Sequence, residues 1–227
     1  MTHLEADLAA LRQRLLLMAS HAANQVRQAM KAFTERDDDL VARVEEADNI
    51  LDDFEVEIDE LALQLLLGAP LARDLRLILV ATKIGHALER VGDEATAIAR
   101  RARALNREPQ LQSPGDLAAM AHLVLDLLDA ALAAFVAGHA DQARAVIPRD
   151  REIDQVNRQL HQEFTALLIQ TPANVTRCLG LMAIAKRLER IGDHAKNIAE
   201  EVVYLSEARD IRHTRKPPNT PGAPASP

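Results

Sequence analysis

An all-α fold made of two tandem antiparallel three-helix bundles is predicted by three observations. The first is an internal repeat: Leu88-Glu89-Arg90-Val91-Gly92-Asp93 returns about 100 residues later as Leu188-Glu189-Arg190-Ile191-Gly192-Asp193. Ile84 and Ile184, Ala95 and Ala195, and Ile98-Ala99 and Ile198-Ala199 extend the likeness outward. A repeat of this period means one supersecondary unit built twice. The second is composition: Ala, Leu, Arg and Glu dominate, with four Phe, one Tyr and no Trp in 227 residues. Those abundant residues are strong helix formers. The third is periodicity, with apolar residues at steps of three and four between a few Gly and Pro breaks, the pattern of helices that bury one face.

The elements follow in order. Residues 4–34 read as one helix, with Leu4, Leu8, Leu11, Leu15, Met18, Ala22, Val26, Met30 and Phe33 on its apolar face. Thr34 to Asp39 is a polar break rich in N-cap residues. A second helix runs to about Leu67 on the stripe Ile50/Leu51, Phe54, Ile58, Leu61 and Leu65, and Gly68-Ala69-Pro70 ends it. A third spans about Ala72 to Leu105, and Asn106 to Gly115, with Pro109 and Pro114, links the halves. Asp116 to about Val136 is the fourth helix, with Phe135 echoing Phe33, and residues 138–141 are its break. The fifth reaches Ile169 on Ile153, Val156, Leu160, Phe164 and Leu167; Pro148, inside it or at its start, must kink or delay it. Thr171-Pro172 turns the chain into a sixth helix from about Asn174 to Leu205. Short loops between long helices make antiparallel neighbours. The expected units are a first bundle over 1–107, a second over 114–206, and a disordered Pro-rich tail over 207–227, where five of the ten Pro lie.

Composition also narrows function. A formal charge of −7 argues against direct nucleic-acid binding and against adhesion to anionic lipid. No run of about twenty uncharged apolar residues offers a membrane span, and no secretory signal is visible, so a cytoplasmic protein is expected. The single Cys178, beside Leu179 and Leu181, reads as a small core hydrophobe. No Walker loop, nucleotide-binding glycine motif or nucleophile elbow occurs.

The chemistry of interest lies in carboxylates at a spacing of four, which places both acids of a pair on one helix face. Asp48 and Asp52 form such a pair on the second helix, with Glu55 and Asp59 continuing it, and Asp150 and Asp154 form its twin on the fifth. Glu89 and Asp93 on the third helix are matched by Glu189 and Asp193 on the sixth. Counting from the turns at about 1.5 Å per residue puts Asp52 level with Glu89 and Asp48 with Asp93, and likewise in the second half. Like charges about 4 Å apart repel by roughly 4 kcal/mol at an effective dielectric near 20. Such a cluster takes up protons, binds a cation or splays into water. Arg90 and Arg190 are each placed to neutralise one acid. All-oxygen ligands suit Mg²⁺ or Mn²⁺, with iron a further choice; solvated surface acids are the competing reading. Mid-helix Gly92 and Gly192 leave room for a neighbouring helix or a ligand. His86, His122, His161 and His194 share no ligand spacing, and the absence of Glu-x-x-His weighs against a ferritin-like oxidase site.

These residues resemble the PhoU family of bacterial phosphate-uptake regulators from about Leu4 to Leu205. The marks are Leu188 to Ala195 with Asn197-Ile198-Ala199-Glu200, the twin segment from Leu88, and Asp74-Leu75-Arg76 after Pro70. The resemblance implies tandem three-helix bundles, a homodimer, and metal-holding acids at Asp48, Asp52, Glu89, Asp93, Asp150, Asp154, Glu189 and Asp193. It implies an adaptor between the ATPase subunit of a phosphate ABC transporter and a phosphate-sensing histidine kinase, at the membrane only through these partners, holding the starvation response off when phosphate is plentiful. Ala97 in place of Asn197, Asn157 in place of Glu55, and Pro148 set the halves apart. The expectation is a non-enzymatic regulator; a carboxylate-metal enzyme acting on phosphorylated substrates and a purely structural bundle are the alternatives.

Overall fold

The computed structural model describes residues 3–68, 71–111 and 116–212. In the first half, α1 (His3–Glu35), α2 (Asp38–Leu66) and α3 (Ala72–Asn106) pack as an antiparallel bundle. The second half holds α4 (Leu117–Ala137), α5 (Ala140–Val146), α6 (Asp150–Gln170) and α7 (Val175–Glu207). Among the described residues there is no strand.

Local chemistry sets the boundaries. Asp37 caps α2 by accepting hydrogen bonds from the backbone N–H groups of Asp39 and Leu40, at 2.9 and 3.1 Å. Arg36, in the left-handed region at φ 57°, reverses the chain before it. Its guanidinium donates to the carbonyls of Leu105, Asn106 and Glu108, so the α1–α2 corner satisfies the free end of α3. Asp116 caps α4 through the Ala119 N–H at 2.8 Å, and Gly138 at φ 66° ends it. Pro148 divides the expected fifth helix: α5 stops at Val146, a 3-10 turn covers Ile147–Arg149, and α6 restarts at Asp150. The ring removes a backbone donor where the ladder would need one. A second 3-10 turn, Pro172–Asn174, leads into α7.

The two bundles are not separate beads on a linker. Their buried side chains form one continuous core, and α3 packs along α7 as the most extensive helix pair. Lys83 pairs with Glu201, Glu94 with Arg190, and Leu105 lies over Gly180. Numbers rise along α3 as they fall along α7, so the pair is antiparallel and relates the halves by a pseudo-twofold. Buried acids clamp it: Glu94 of α3 receives Arg187 at 2.8 Å and Arg190 at 3.3 Å, while Glu201 of α7 receives Lys83 at 3.1 Å and Arg212 at 3.0 Å. Arg212 lies within the stretch expected to be tail, as does Glu207, which closes α7. The chain therefore stays against the bundle past residue 207; residues 213–227 lie outside the described residues. Cys178 is buried, as expected.

The apolar helix α4 is, by length and composition, long enough to cross a membrane, with a mean hydropathy of 1.8 over its best window. Its apolar side is used in the core, where Met120, Val124, Leu127, Leu128 and Ala131 are buried, while Asp126 and Asp129 are exposed.

Glycines set how α2 meets α3. Gly85 faces Ile58 and Gly92 faces Leu51, two turns apart on each helix. A Cβ on Gly85 would lie 3.5 Å from Ile58, an ordinary contact, whereas one on Gly92 would lie 2.3 Å from Leu51 Cδ1 and 3.1 Å from Gln25 Oε1. Gly92→Ala is expected to destabilise by about 1–2 kcal/mol, since overpacking outweighs the gain in helix propensity. Gly85→Ala should be neutral or stabilise by up to ~1 kcal/mol. Urea unfolding of the two variants beside the parent checks the contrast, and equal effects would refute this account of the α2–α3 spacing.

Candidate functional site

The carboxylates of each hairpin line one seam, at heights close to those that turn-counting predicts. In the first half Leu51 covers Gly92, and Glu55 reaches His86 on the register that pairs Asp52 with Glu89. Asp52 therefore feels the charges of Asp48 and Asp93, and Glu89 feels Asp93 and Glu55. In the second half Ile153 covers Gly192, and Asp150 faces both Lys196 and its expected partner Asp193. Asp193 feels Asp150, Glu189 and Asp154. The glycine hollows accept Leu51 and Ile153, and this core fit holds the two helices of each hairpin in place.

All eight expected acids thus lie along two seams, Asp48, Asp52, Glu89 and Asp93 between α2 and α3, and Asp150, Asp154, Glu189 and Asp193 between α6 and α7. Their protonation reflects that crowding. Burial and the neighbouring Asp93 push the Glu89 carboxyl up to about 6, with Arg90 pulling the other way. Burial, then the adjacent acids, raises Asp52 and Asp193 as well. Arg90 neutralises as expected, 3.3 Å from Glu89 and 3.0 Å from Asp93. Arg190 does not. Its guanidinium turns across the α3–α7 interface to Glu94, because that acid is buried and needs a partner more.

Three groups escape sequence reasoning. Gln25 of α1 is buried, and its amide donates to Thr96 Oγ1 at 3.0 Å, the Val44 carbonyl at 3.2 Å and Asp48 Oδ1 at 3.3 Å. A polar residue inside the stripe Met18, Ala22, Ala29 is the signal that could have found it. His86, read from spacing as unrelated to any ligand set, sits with Nδ1 2.9 Å from Glu55 Oε1. His86, Glu55 and Glu89 offer ligand atoms within 4.8 Å of one another. The spacing His86-x-x-Glu89, one turn of one face, carried that information in reversed order. Glu94, the third, looks like an ordinary polar residue in the chain and becomes a buried interface acid.

The seams fit a cation. Asp150 Oδ1, Gln25 Oε1 and Asn157 Oδ1 are buried without a hydrogen-bond partner, and Glu89 Oε2 makes no hydrogen bond beyond its 3.3 Å ion pair with Arg90. Asp150 Oδ1 and Gln25 Oε1 point to the hollows at Gly192 and Gly92. Buried oxygens in want of a donor, grouped with repelling carboxylates, are the donor set a hard divalent ion satisfies.

The raised Glu89 value has a consequence for stability in chelator-treated protein. From an ordinary value of 4.5 to about 6, folding favours the protonated acid. The folded chain is therefore least penalised below about pH 4.5 and loses stability as the pH rises through about 6. Glu89→Gln is expected to stabilise by about 1 kcal/mol near pH 7.5, discounted for the water that reaches the seam, and by nothing near pH 4. Denaturant midpoints at the two pH values check this; a gain of the same size at both would contradict it.

Comparisons with known proteins agree with this architecture. The PhoU domain matches residues 15–102 and again residues 117–202. A protein of Pseudomonas putida named phosphate-specific transport system accessory protein PhoU homolog is 38% identical over 212 residues, 92% of this chain and 82% of its own. The protein of that name from Pseudomonas aeruginosa is 36% identical over 92% of this chain and 87% of its own. Among solved structures, PhoU from Pseudomonas aeruginosa aligns with a TM-score of 0.87 at 34% identity, over 90% of this chain and 99% of that one. The phosphate transport system regulatory protein PhoU from Streptococcus pneumoniae aligns with a TM-score of 0.87 at 26% identity, over 92% and 99%. With both repeats matched and relatives of this identity along nearly the whole length, the chain belongs to the PhoU family.

Proposed function

We propose that this chain regulates phosphate uptake as an accessory subunit, without catalysing a reaction of its own. The carrying observation is its membership of a family whose curated relatives are accessory proteins of a phosphate-specific transport system, along both repeats. In the finer reading it joins the ATPase subunit of a phosphate ABC transporter to a phosphate-sensing histidine kinase. It keeps the starvation response off while phosphate is plentiful, acts as a homodimer on the cytoplasmic side, and approaches the membrane through its partners. Gene expression then responds without any contact between this acidic chain and DNA.

The seams give this regulator a cation-dependent part. Asp48, Asp52, Glu89 and Asp93, and their counterparts Asp150, Asp154, Glu189 and Asp193, form two carboxylate clusters whose oxygens suit Mg²⁺, Mn²⁺ or iron. The ion relieves the repulsion that otherwise opposes hairpin closure. Ion binding stabilises the native state by mass action, as RT ln(1 + [L]/Kd), or about 2.7 kcal/mol at a hundredfold excess over Kd.

Reconstitution tests the regulatory role. The tagged full chain, mixed with the transporter in detergent and with the kinase, is expected to retain the ATPase subunit and the kinase at high phosphate. Retention of neither partner at any phosphate level would refute the adaptor reading. Thermal unfolding with and without millimolar Mn²⁺ addresses the seams separately: a rise in Tm is expected, and it should shrink in Asp52→Asn/Asp93→Asn.

A further inference from the structure

The two seams descend from one duplicated unit, yet their cationic surroundings differ. Where the first half has His86 and Thr96, the second has Lys186 and Lys196. Both lysines turn onto the acids: Lys186 Nζ pairs with Glu189, and Lys196 Nζ sits 2.9 Å from Asp150 Oδ2. Asn157 replaces Glu55, removing one carboxylate more. The second seam thus sets two tethered ammonium groups against four acids.

The first seam sets five carboxylates, counting Glu55, against the single half-exposed Arg90. Arg90 is half-exposed and pairs with Glu89 and the exposed Asp93, whereas Lys196 is held on the buried Asp150 and is not readily displaced. The first seam also holds the imidazole of His86 beside Glu55 and Glu89, the three offering ligand atoms within 4.8 Å of one another, and Glu89 Oε2 is buried there without a hydrogen bond. Carboxylates alone suit Mg²⁺ and Mn²⁺, and an added imidazole shifts preference toward first-row transition ions.

We propose that the halves have diverged in ion binding. The first seam takes one first-row divalent transition ion through His86, Glu55 and Glu89. The second is closed by Lys186 and Lys196, which stand where an ion would. This narrows the seam reading above to one ion-binding half and is independent of the regulatory role.

Titration of the chelator-treated full chain with Co²⁺, followed by visible absorption and calorimetry, tests it. One tight ion per chain is expected, not displaced by a hundredfold excess of Mg²⁺. His86→Asn, at an exposed position, should weaken Co²⁺ binding at least tenfold and alter its spectrum. The triple exchange Asn157→Glu/Lys186→His/Lys196→Thr copies the first half's residues into the second and should raise the stoichiometry from one to two. Circular dichroism confirms that each variant is folded. Two equivalent ions in the parent, or a single ion indifferent to His86→Asn, would overturn the divergence while leaving the seams as cation sites. No Co²⁺ binding at all would overturn both.

Discussion

Two apolar side chains seated in two glycine hollows decide most of this molecule. Leu51 lies against Gly92 and Ile153 against Gly192, and neither fit leaves space for a Cβ. A glycine inside a helix costs about 1 kcal/mol relative to alanine. The cost is offset by close packing of two long helices along a buried stripe. The approach fixes the axial register of each hairpin, and the register brings the acids together. Repulsion among the carboxylates is therefore a consequence of good core packing. A cation is one way of relieving it, protonation of Glu89 another, and a tethered lysine a third.

The antiparallel α3–α7 pair places the two seams in one mechanical body. One side of α3 carries Glu89 and Asp93 toward α2; another carries Lys83 and Glu94 toward α7. Whatever changes the α2–α3 spacing acts on a helix that is also half of the inter-bundle interface. Buried Glu94 and Glu201, each held by two cations, make that interface specific in register. A slide of one helix would strand a buried carboxylate without its partner. A regulator that must present a defined surface gains from such a clamp.

Duplication gave both halves the same scaffold, and substitution then separated them. Gln25 and Thr96 form a buried polar link over Asp48 in the first half. Leu127, two residues beyond a strict hundred because Phe135 answers Phe33, fills the corresponding place with hydrocarbon. Pro148 restarts the helix at Asp150, so this buried acid stands in the first turn of α6, where the helix dipole favours a negative charge. Its counterpart Asp48 lies mid-helix and relies on an amide donor. The two acids thus keep equivalent positions by different means.

Helix content, the six-part order, the break at Pro148 and the presence of two acidic seams were all legible in the chain. Each depends on local propensity or on a period that a repeat makes visible twice. The individual contacts within the seams were not, because counting outward from a turn gives only height along the hairpin. Gly85, Gly92, Ile58 and Leu51 set how closely the two helices approach by how they interlock. The partners of Arg190, the burial of Glu94 and Gln25, and the meeting of His86 with Glu55 were equally out of reach. Spacing along a helix fixes height, but rotation about its axis and the choice among competing partners are set only when distant surfaces pack. The sequence by itself determined that acids would line two hairpins; the tertiary structure decided which of them touch and which carry a counter-charge of their own.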